Sequence, residues 1–313
     1  GCEYVFMECS SHAIQQQRIG GLTFAGGIFT NLTRDHLDYH KTVAAYRDAK
    51  KKFFDNLPST AFALTNLDDK NGMVMLQNTK AKKKTYSLRT DADYKGVVLE
   101  SYFDGMELKI NRNNISTFLV GKFNVSNLLA IYGAASLLGM SDDDLLKGVS
   151  QLQSAPGRFQ VVQSSCGIVG IVDYAHTPDA LKNVLDTINE IRTHNETLIT
   201  IAGAGGNRDA AKRPEMAAVA VAKSDRLIIT SDNPRFEDPL LIAREIESGV
   251  VSENYEIQED REDAIRKAIS LSKKGDVILI AGKGSEPYID INGVKKPYQD
   301  ELVIKEILEE LEK

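Results

Sequence analysis

The stretch Phe29–Phe54, FTNLTRDHLDYHKTVAAYRDAKKKFF, opens with strand-like residues and passes an acidic, histidine-bearing turn. It then enters a helix that the pattern starts near Thr42. At about 100° per residue, Val43, Tyr46, Lys50, Phe53 and Phe54 fall on one side of that helix. Lys52 points the opposite way and Lys51 lies at the edge. Lys50 thus stands inside an apolar stripe, where a free ammonium is costly to bury. A buried lysine can pair with a carboxylate, lose its proton or be chemically modified. The ordinary alternative is a stem laid along the core with its head in water. The preceding turn supplies Asp35, His36, Asp38 and His40, residue types that suit a metal site, and that company favours a functional lysine.

The run Asn31–His40, NLTRDHLDYH, followed by Ala49-Lys50, resembles the central-domain signature of the Mur ligases. These are the ATP-dependent amide ligases of peptidoglycan precursor synthesis, and the resemblance covers essentially the whole chain. It implies that Lys50 is carbamylated, which exchanges a cation for an anionic oxygen ligand of the kind Mg²⁺ prefers. His36 is then implied as a second protein ligand of that metal. Upstream, Tyr4–Cys9 reads as a short apolar strand ending at Glu8, followed by Ser10-Ser11-His12. A lone Glu8 would be a strand-end surface charge; matched to the family's M-E-x-S-S-H it is implied as a magnesium ligand. Ser10, Gln16 and Arg18 match positions that hold the UDP-MurNAc-dipeptide, and an arginine fork suits so anionic a substrate.

The 313 residues, 42% hydrophobic and 26% charged, leave room for two domains. A formal net charge of −6 argues against a nucleic-acid binder, and Lys82-Lys83-Lys84 reads as a solvated loop. Three cysteines without a CxxC suggest neither a disulfide framework nor a zinc site. No apolar run approaches the roughly 20 residues of a membrane span, and no signal peptide is visible, so a cytoplasmic protein without membrane partners is expected; a monomer is the accompanying expectation, on which the sequence itself is silent. The sequence contains no G-x-x-x-x-G-K-[ST] phosphate loop and no initiator Met. Family members carry that loop upstream, so the chain reads as a C-terminal fragment without turnover of its own.

Residues 1–153 read as an incomplete central ATP-binding domain, and 154–313 as a C-terminal domain beyond the Ser154–Gly157 linker. In the first, Thr60–Thr65 reads as a strand. Val97–Val120 reads as an antiparallel meander turning at Asp104-Gly105 and Asn113-Asn114. Asn124 is expected to cap a helix Val125–Leu138, with a second helix at Asp142–Leu152. In the second domain, strands at Gly167–Asp173, Thr197–Ala202, Arg226–Thr230, Tyr255–Gln258 and Asp276–Ala281 alternate with helices. The helices read as Pro178–Arg192, Pro214–Lys223, Pro239–Val250 and Arg261–Lys273. That alternation predicts a Rossmann-like, doubly wound, mostly parallel α/β sheet. A hairpin on Asn292-Gly293 and a helix Glu301–Leu311 complete it.

Such sheets bind ligands beyond the carboxyl ends of their strands. Asp173 with His176, Arg208 with Asp209, Asp232–Arg235 and Gly282–Glu286 collect there. Gly203-Ala204-Gly205-Gly206 suggests a dinucleotide fingerprint only superficially, because Arg208 occupies the third glycine position. The resemblance implies that Asn127 lies at the adenine of ATP, and that Arg158 and Asp173 close over its ribose and phosphates. It implies a pocket for the incoming amino acid made of Arg208, Asp232, Asn233, Pro234, Arg235, Gly282 and Glu286. The family's GKGHE reads GKGSE here, so nothing is carried over to Ser285. Arg235 implies meso-diaminopimelate as that amino acid, in place of L-lysine; the plain alternative is a surface arginine paired with Glu237 or Asp238. The implied reaction joins it to UDP-MurNAc-L-Ala-D-Glu through an acyl phosphate, with ATP and Mg²⁺. A folylpolyglutamate-type ligase and a non-catalytic binding fragment are the competing readings.

Overall fold

A computed structural model describes residues 1–33 and 37–311. The chain divides into two compact units. One holds Gly1–Glu100 and Gly105–Leu152, the other Ser101–Asp104 and Gln153–Lys313.

The first unit runs α1 (Ser11–Gln15), β1 (Gly26–Phe29), α2 (Leu37–His40), α3 (Val43–Asp55), β2 (Phe62–Asn66) and α4 (Gly72–Met75). It continues with β3 (Lys82–Ser87), β4 (Tyr94–Tyr102), β5 (Gly105–Ile110), β6 (Asn113–Thr117), α5 (Lys122–Leu137) and α6 (Asp142–Gln151). The six strands form one sheet in chain order. β1 to β4 pair in parallel and β5 with β6 antiparallel. β2 is buried at every position, as a parallel strand covered on both faces must be. Ala63 packs with Tyr46, Phe54 and Leu57 on the α3 side. Phe62 and Leu64 pack with Leu128 and Leu129 of α5 on the other.

α3 begins where the sequence places it, with Thr42 Oγ1 accepting from Ala45 N–H at 3.1 Å. Its buried face differs from the expected stripe. Tyr46, Ala49, Lys51 and Phe54 are buried, Lys50 is half-buried and Val43 exposed. Lys51 gains its place by an i,i+4 ion pair to Asp55 at 2.6 Å. Three other expectations change. Tyr4–Met7 is exposed and forms no strand, since a strand needs a ladder partner and none pairs with it among the described residues. Asn124 is not the cap of α5, which starts after Gly121 (φ +93), and its Nδ2 donates back to Val120 O at 2.8 Å. The β5–β6 turn falls at Asn111-Arg112, with Asn111 at φ +53, a conformation asparagine tolerates better than most residues.

The second unit runs β7 (Gln160–Gln163), β8 (Val169–Asp173), α7 (Pro178–Ile191), β9 (Leu198–Ala202), α8 (Lys212–Lys223), β10 (Arg226–Ile229) and α9 (Pro239–Glu247). Then follow β11 (Tyr255–Ile257), α10 (Arg261–Leu271), β12 (Val277–Ala281), a β13–β14 hairpin (Tyr288–Ile291, Val294–Pro297) and α11 (Asp300–Leu311). The sheet order is β11-β10-β9-β12-β8-β7, parallel except for the edge strand β7. The sequence reading missed β7, whose four residues offer only Val161 and Val162 as apolar signal. Ile199, Ile201, Ile278 and Ile280 face α10 and α11, while α8 and α9 pack on the opposite face. β12 enters between β9 and β8, so its following loop opens beside theirs, at the switch point where such sheets bind ligands.

Arg261 and Asp300, both fully buried, join in a fork of 2.7 and 2.8 Å. The same guanidinium donates to the carbonyls of Ser231 and Ala281. It therefore ties α10 and α11 to the roots of the loops after β10 and β12.

Candidate functional site

In the first unit, the segment before α1 and the face of α3 gather the residues singled out upstream. Ser10 caps α1, its Oγ accepting from Ala13 N–H at 3.1 Å. Ser11 Oγ lies 2.8 Å from His40 Nε2. The His12 ring sits 4.1 Å from Tyr39, and the His40 ring 5.3 Å from Tyr46. Gln16 reaches the Tyr39 hydroxyl at 3.4 Å, and Arg18 is exposed. Lys50 Nζ stands 5.3 Å from the Tyr46 ring centroid. Burial pushes the Cys9 thiol above its ordinary value, while the Lys50 charge lowers it and Glu8 raises it. Cys9 therefore lies within the field of both Lys50 and Glu8. His40, counted among metal-type residues in the sequence, is instead buried against Ser11. His36 lies outside the described residues. Among the described residues no group of three His, Cys, Asp or Glu side chains could hold a metal ion.

At the carboxyl end of the same sheet, Asn66 Nδ2 donates to Thr30 O at 2.8 Å and approaches Ser126 Oγ at 3.4 Å. Leu32 N–H donates to Asp69 at 2.9 Å. The loops after β1 and β2 and the start of α5 are thus drawn together. Asn127, next to Ser126, is exposed there.

In the second unit, all four expected loops lie at the carboxyl ends of β8, β9, β10 and β12. Asp173 is buried and fully engaged, accepting from Phe159 N–H at 2.6 Å and Ala175 N–H at 2.8 Å. Burial pushes its carboxyl up; those N–H groups and the charges of Arg158 and His176 pull it down. Arg158 is exposed and lies 4.4 Å over the Tyr174 ring, which in turn meets His176.

Asn233 Nδ2 donates to Glu286 at 2.8 Å, and Gly282 leaves room for the Asp232 carboxylate, which a Cβ would meet at 2.8 Å. Arg235 is half-buried at φ +53, its Nη1 donating to Gly206 O at 2.8 Å. It pairs with no carboxylate among the described residues. Glu237 is taken by Arg213 at 2.9 Å and by the Asn207 N–H. Asp238 caps α9. The neighbouring hairpin braces the loop: Arg235 N–H donates to Asp290 O and Asn292 N–H to Arg235 O. Arg208 is exposed and without a partner among the described residues; its Cγ and Arg235 Nη1 flank Gly205. Pro234 is buried.

The family model for the Mur ligase middle domain matches residues 1–135, and that for the Mur ligase glutamate ligase domain matches 157–284. A UDP-N-acetylmuramoyl-L-alanyl-D-glutamate–2,6-diaminopimelate ligase of Bacteroides fragilis is 58% identical over 310 residues, 98% of this chain and 64% of that protein. The chain belongs to the Mur ligase family. The ligase of the same name from Chromobacterium violaceum is 40% identical, over 98% of this chain and 64% of its own length. A solved structure of such a diaminopimelate ligase superposes with a TM-score of 0.66 at 35% identity, over 97% of this chain and 64% of that one. The chain thus spans somewhat under two thirds of the relatives it matches. A Thermotoga maritima folylpolyglutamate synthase (TM-score 0.61, 15% identity, 82% of this chain and 57% of that one) shares the fold alone.

Two residues in this Mur ligase chain were given no role from the sequence. Lys283 is completely buried beside Asn233 and Glu286. Arg213, 1% exposed, joins Glu237, Glu245 and the Gly205 carbonyl. Lys283 lies in the Gly282–Glu286 stretch, where sequence reasoning assigned it no role of its own; Arg213 sits in an ordinary helix start. No helix among the described residues is long and apolar enough to cross a membrane.

Proposed function

We propose that the protein carrying these residues is an ATP-dependent amide ligase that adds meso-diaminopimelate to UDP-MurNAc-L-Ala-D-Glu. The observation that carries this reading is Arg235, held in a strained left-handed conformation with no carboxylate partner among the described residues. It stands in the same loop as Asn233, which engages Glu286. Arg235, with Arg208 across Gly205, offers cationic recognition to a carboxylate, while Asp232 and Glu286 offer anions to an ammonium. Diaminopimelate carries both groups at each end.

In the reaction, the free carboxylate of the dipeptide attacks the γ-phosphorus of ATP, forming an acyl phosphate and releasing ADP. The diaminopimelate amine then attacks the acyl carbon, and phosphate leaves as the amide forms. Ser10, Gln16 and Arg18 are assigned to the UDP-MurNAc-dipeptide, Asn127 to adenine, and Arg158 and Asp173 to the ATP ribose and phosphates. An ammonium at Lys50 would repel Mg²⁺, whereas the carbamate that the family resemblance implies would offer it an anionic oxygen. We therefore assign Lys50 as a carbamate, with Glu8 and His36 as its partners. Mg²⁺ bound there would offset charge on the phosphates.

The test is a substrate panel on the protein in its longest form, with ATP, the UDP-MurNAc-dipeptide and one amino acid at a time. A product heavier by diaminopimelate less water, with one ADP released per amide, is expected. Glutamylation of a folate, or equal use of L-lysine, overturns the reading.

A further inference from the structure

We propose that Lys283 is a positioning residue that fixes which way the Asn233 amide faces, and so builds the diaminopimelate pocket. The inference rests on the reading above and concerns a residue of the GKGSE stretch to which the resemblance assigned no role.

Lys283 follows β12 and is 0% exposed. Its Nζ donates to Asn233 Oδ1 at 3.1 Å and to Glu286 Oε2 at 3.3 Å, and lies 3.7 Å from Asp232 Oδ1. Asp290 N–H also donates to Asn233 Oδ1, at 2.9 Å. Two donors on one oxygen leave a single orientation for the amide: Oδ1 faces the lysine and the hairpin, and Nδ2 faces Glu286, 2.8 Å away. A flipped amide would set its NH₂ against an ammonium and an N–H, three donors without an acceptor. Lys283 thus determines where Asn233 presents a donor.

The lysine also stands near two carboxylates, those of Asp232 and Glu286. Its charge offsets the repulsion between the Asp232 and Glu286 carboxylates. Both effects converge on the same consequence. The Asp232–Lys283–Glu286 cluster keeps a net negative charge for an ammonium, in the same set of strand-end loops as Arg208 and Arg235. The side chain contributes this from full burial, behind the residues it orients. The Tyr288 ring, 5.9 Å from Nζ, closes the remaining side.

The test uses ligand-observed NMR titration of the purified chain with meso-diaminopimelate, and steady-state kinetics on the longest form of the protein. The variants are Lys283→Met, which keeps length and removes charge, and Asn233→Asp, which keeps the acceptor for Lys283 and removes the donor to Glu286. Both are expected to weaken diaminopimelate binding and raise its KM at least tenfold, while the KM for ATP moves less than threefold. A merely structural role would change the melting temperature and all kinetic constants together. If wild type binds diaminopimelate and folded Lys283→Met binds it equally well, the inference is overturned. If Lys283→Met does not fold, Asn233→Asp decides: unchanged diaminopimelate affinity overturns it. If wild type itself shows neither diaminopimelate binding nor turnover, the functional reading fails instead.

Discussion

Gly157 and Gly284 press against each other so closely that neither admits a side chain. A Cβ on Gly157 would stand 2.6 Å from Gly284 Cα, and one on Gly284 would stand 2.7 Å from the Gly157 carbonyl oxygen. Both glycines also have positive φ, +68 and +53. The Pro-Gly-Arg turn that presents Arg158 is thereby seated on the loop that carries Lys283 and Glu286. Gly157→Ala should destabilise the carboxyl unit by about 2–4 kcal/mol, combining left-handed strain with overpacking against backbone. Denaturant unfolding of the variant checks this; a loss below about 0.5 kcal/mol would show that the two loops can separate freely.

Asp173 gives a pH dependence whose sign follows from its surroundings. Burial raises its carboxyl in the folded chain above the unfolded value, in spite of the opposing N–H donors and nearby cations. Its contribution to stability is then full below the unfolded pKa and is lost as pH rises through the folded one. Unfolding free energies of wild type minus Asp173→Asn should therefore fall between acidic and neutral pH. A difference that rises with pH would reverse the assignment.

The three consecutive lysines of α3 should separate by role. Lys50→Ala should lose most ligase activity in the longest form of the protein and regain part of it with a small carboxylic acid. Lys51→Ala should keep activity and lose about 1 kcal/mol of stability, because its largely buried stem and its Asp55 pair are removed together. Lys52→Ala, exposed, should change stability by less than about 0.5 kcal/mol. Equal activity losses at all three positions would remove the special standing of Lys50.

The order of these lysines marks where sequence reasoning reached and where it stopped. Strands such as β9 and β12 were legible because they are buried on both faces and read as continuous apolar runs. Their carboxyl ends then located Arg208, Asp232–Arg235 and Gly282–Glu286 without any side-chain geometry. Helical periodicity named the right helix for Lys50 but misjudged Lys51, because a lysine paired with Asp55 can be buried deeper than an apolar-stripe neighbour. Tyr4–Cys9 read as a strand because its residues have the composition for one, yet extended structure also needs a partner. Lys283 stood within Gly282–Glu286, but its role was unreadable for a related reason. Its burial depends on Asn233, 50 positions away, and no local pattern records that distance.

Arg235 supplies the sharpest prediction, since the proposed role has it distinguish two amino acids that differ by one carboxylate. L-lysine and meso-diaminopimelate match except at the far end of the side chain, so discrimination needs a cation there. The alternative, a surface arginine neutralised by Glu237 or Asp238, is not what the loop does: Glu237 serves Arg213 and Asp238 caps α9. Arg235 instead rests on the Gly206 carbonyl at 2.8 Å, which leaves the fork available to a carboxylate. A charge-assisted contact of this kind contributes roughly 1.5–3 kcal/mol, about ten- to a hundredfold in selectivity. Arg235→Ala should raise the KM for diaminopimelate by that factor and leave the KM for ATP nearly unchanged. Arg226→Ala, at the exposed start of β10, serves as the control and should have little effect. The measurement is the ratio of kcat/KM for diaminopimelate to that for L-lysine in each variant. If Arg235→Ala leaves this ratio at its wild-type value, selectivity resides elsewhere in the pocket.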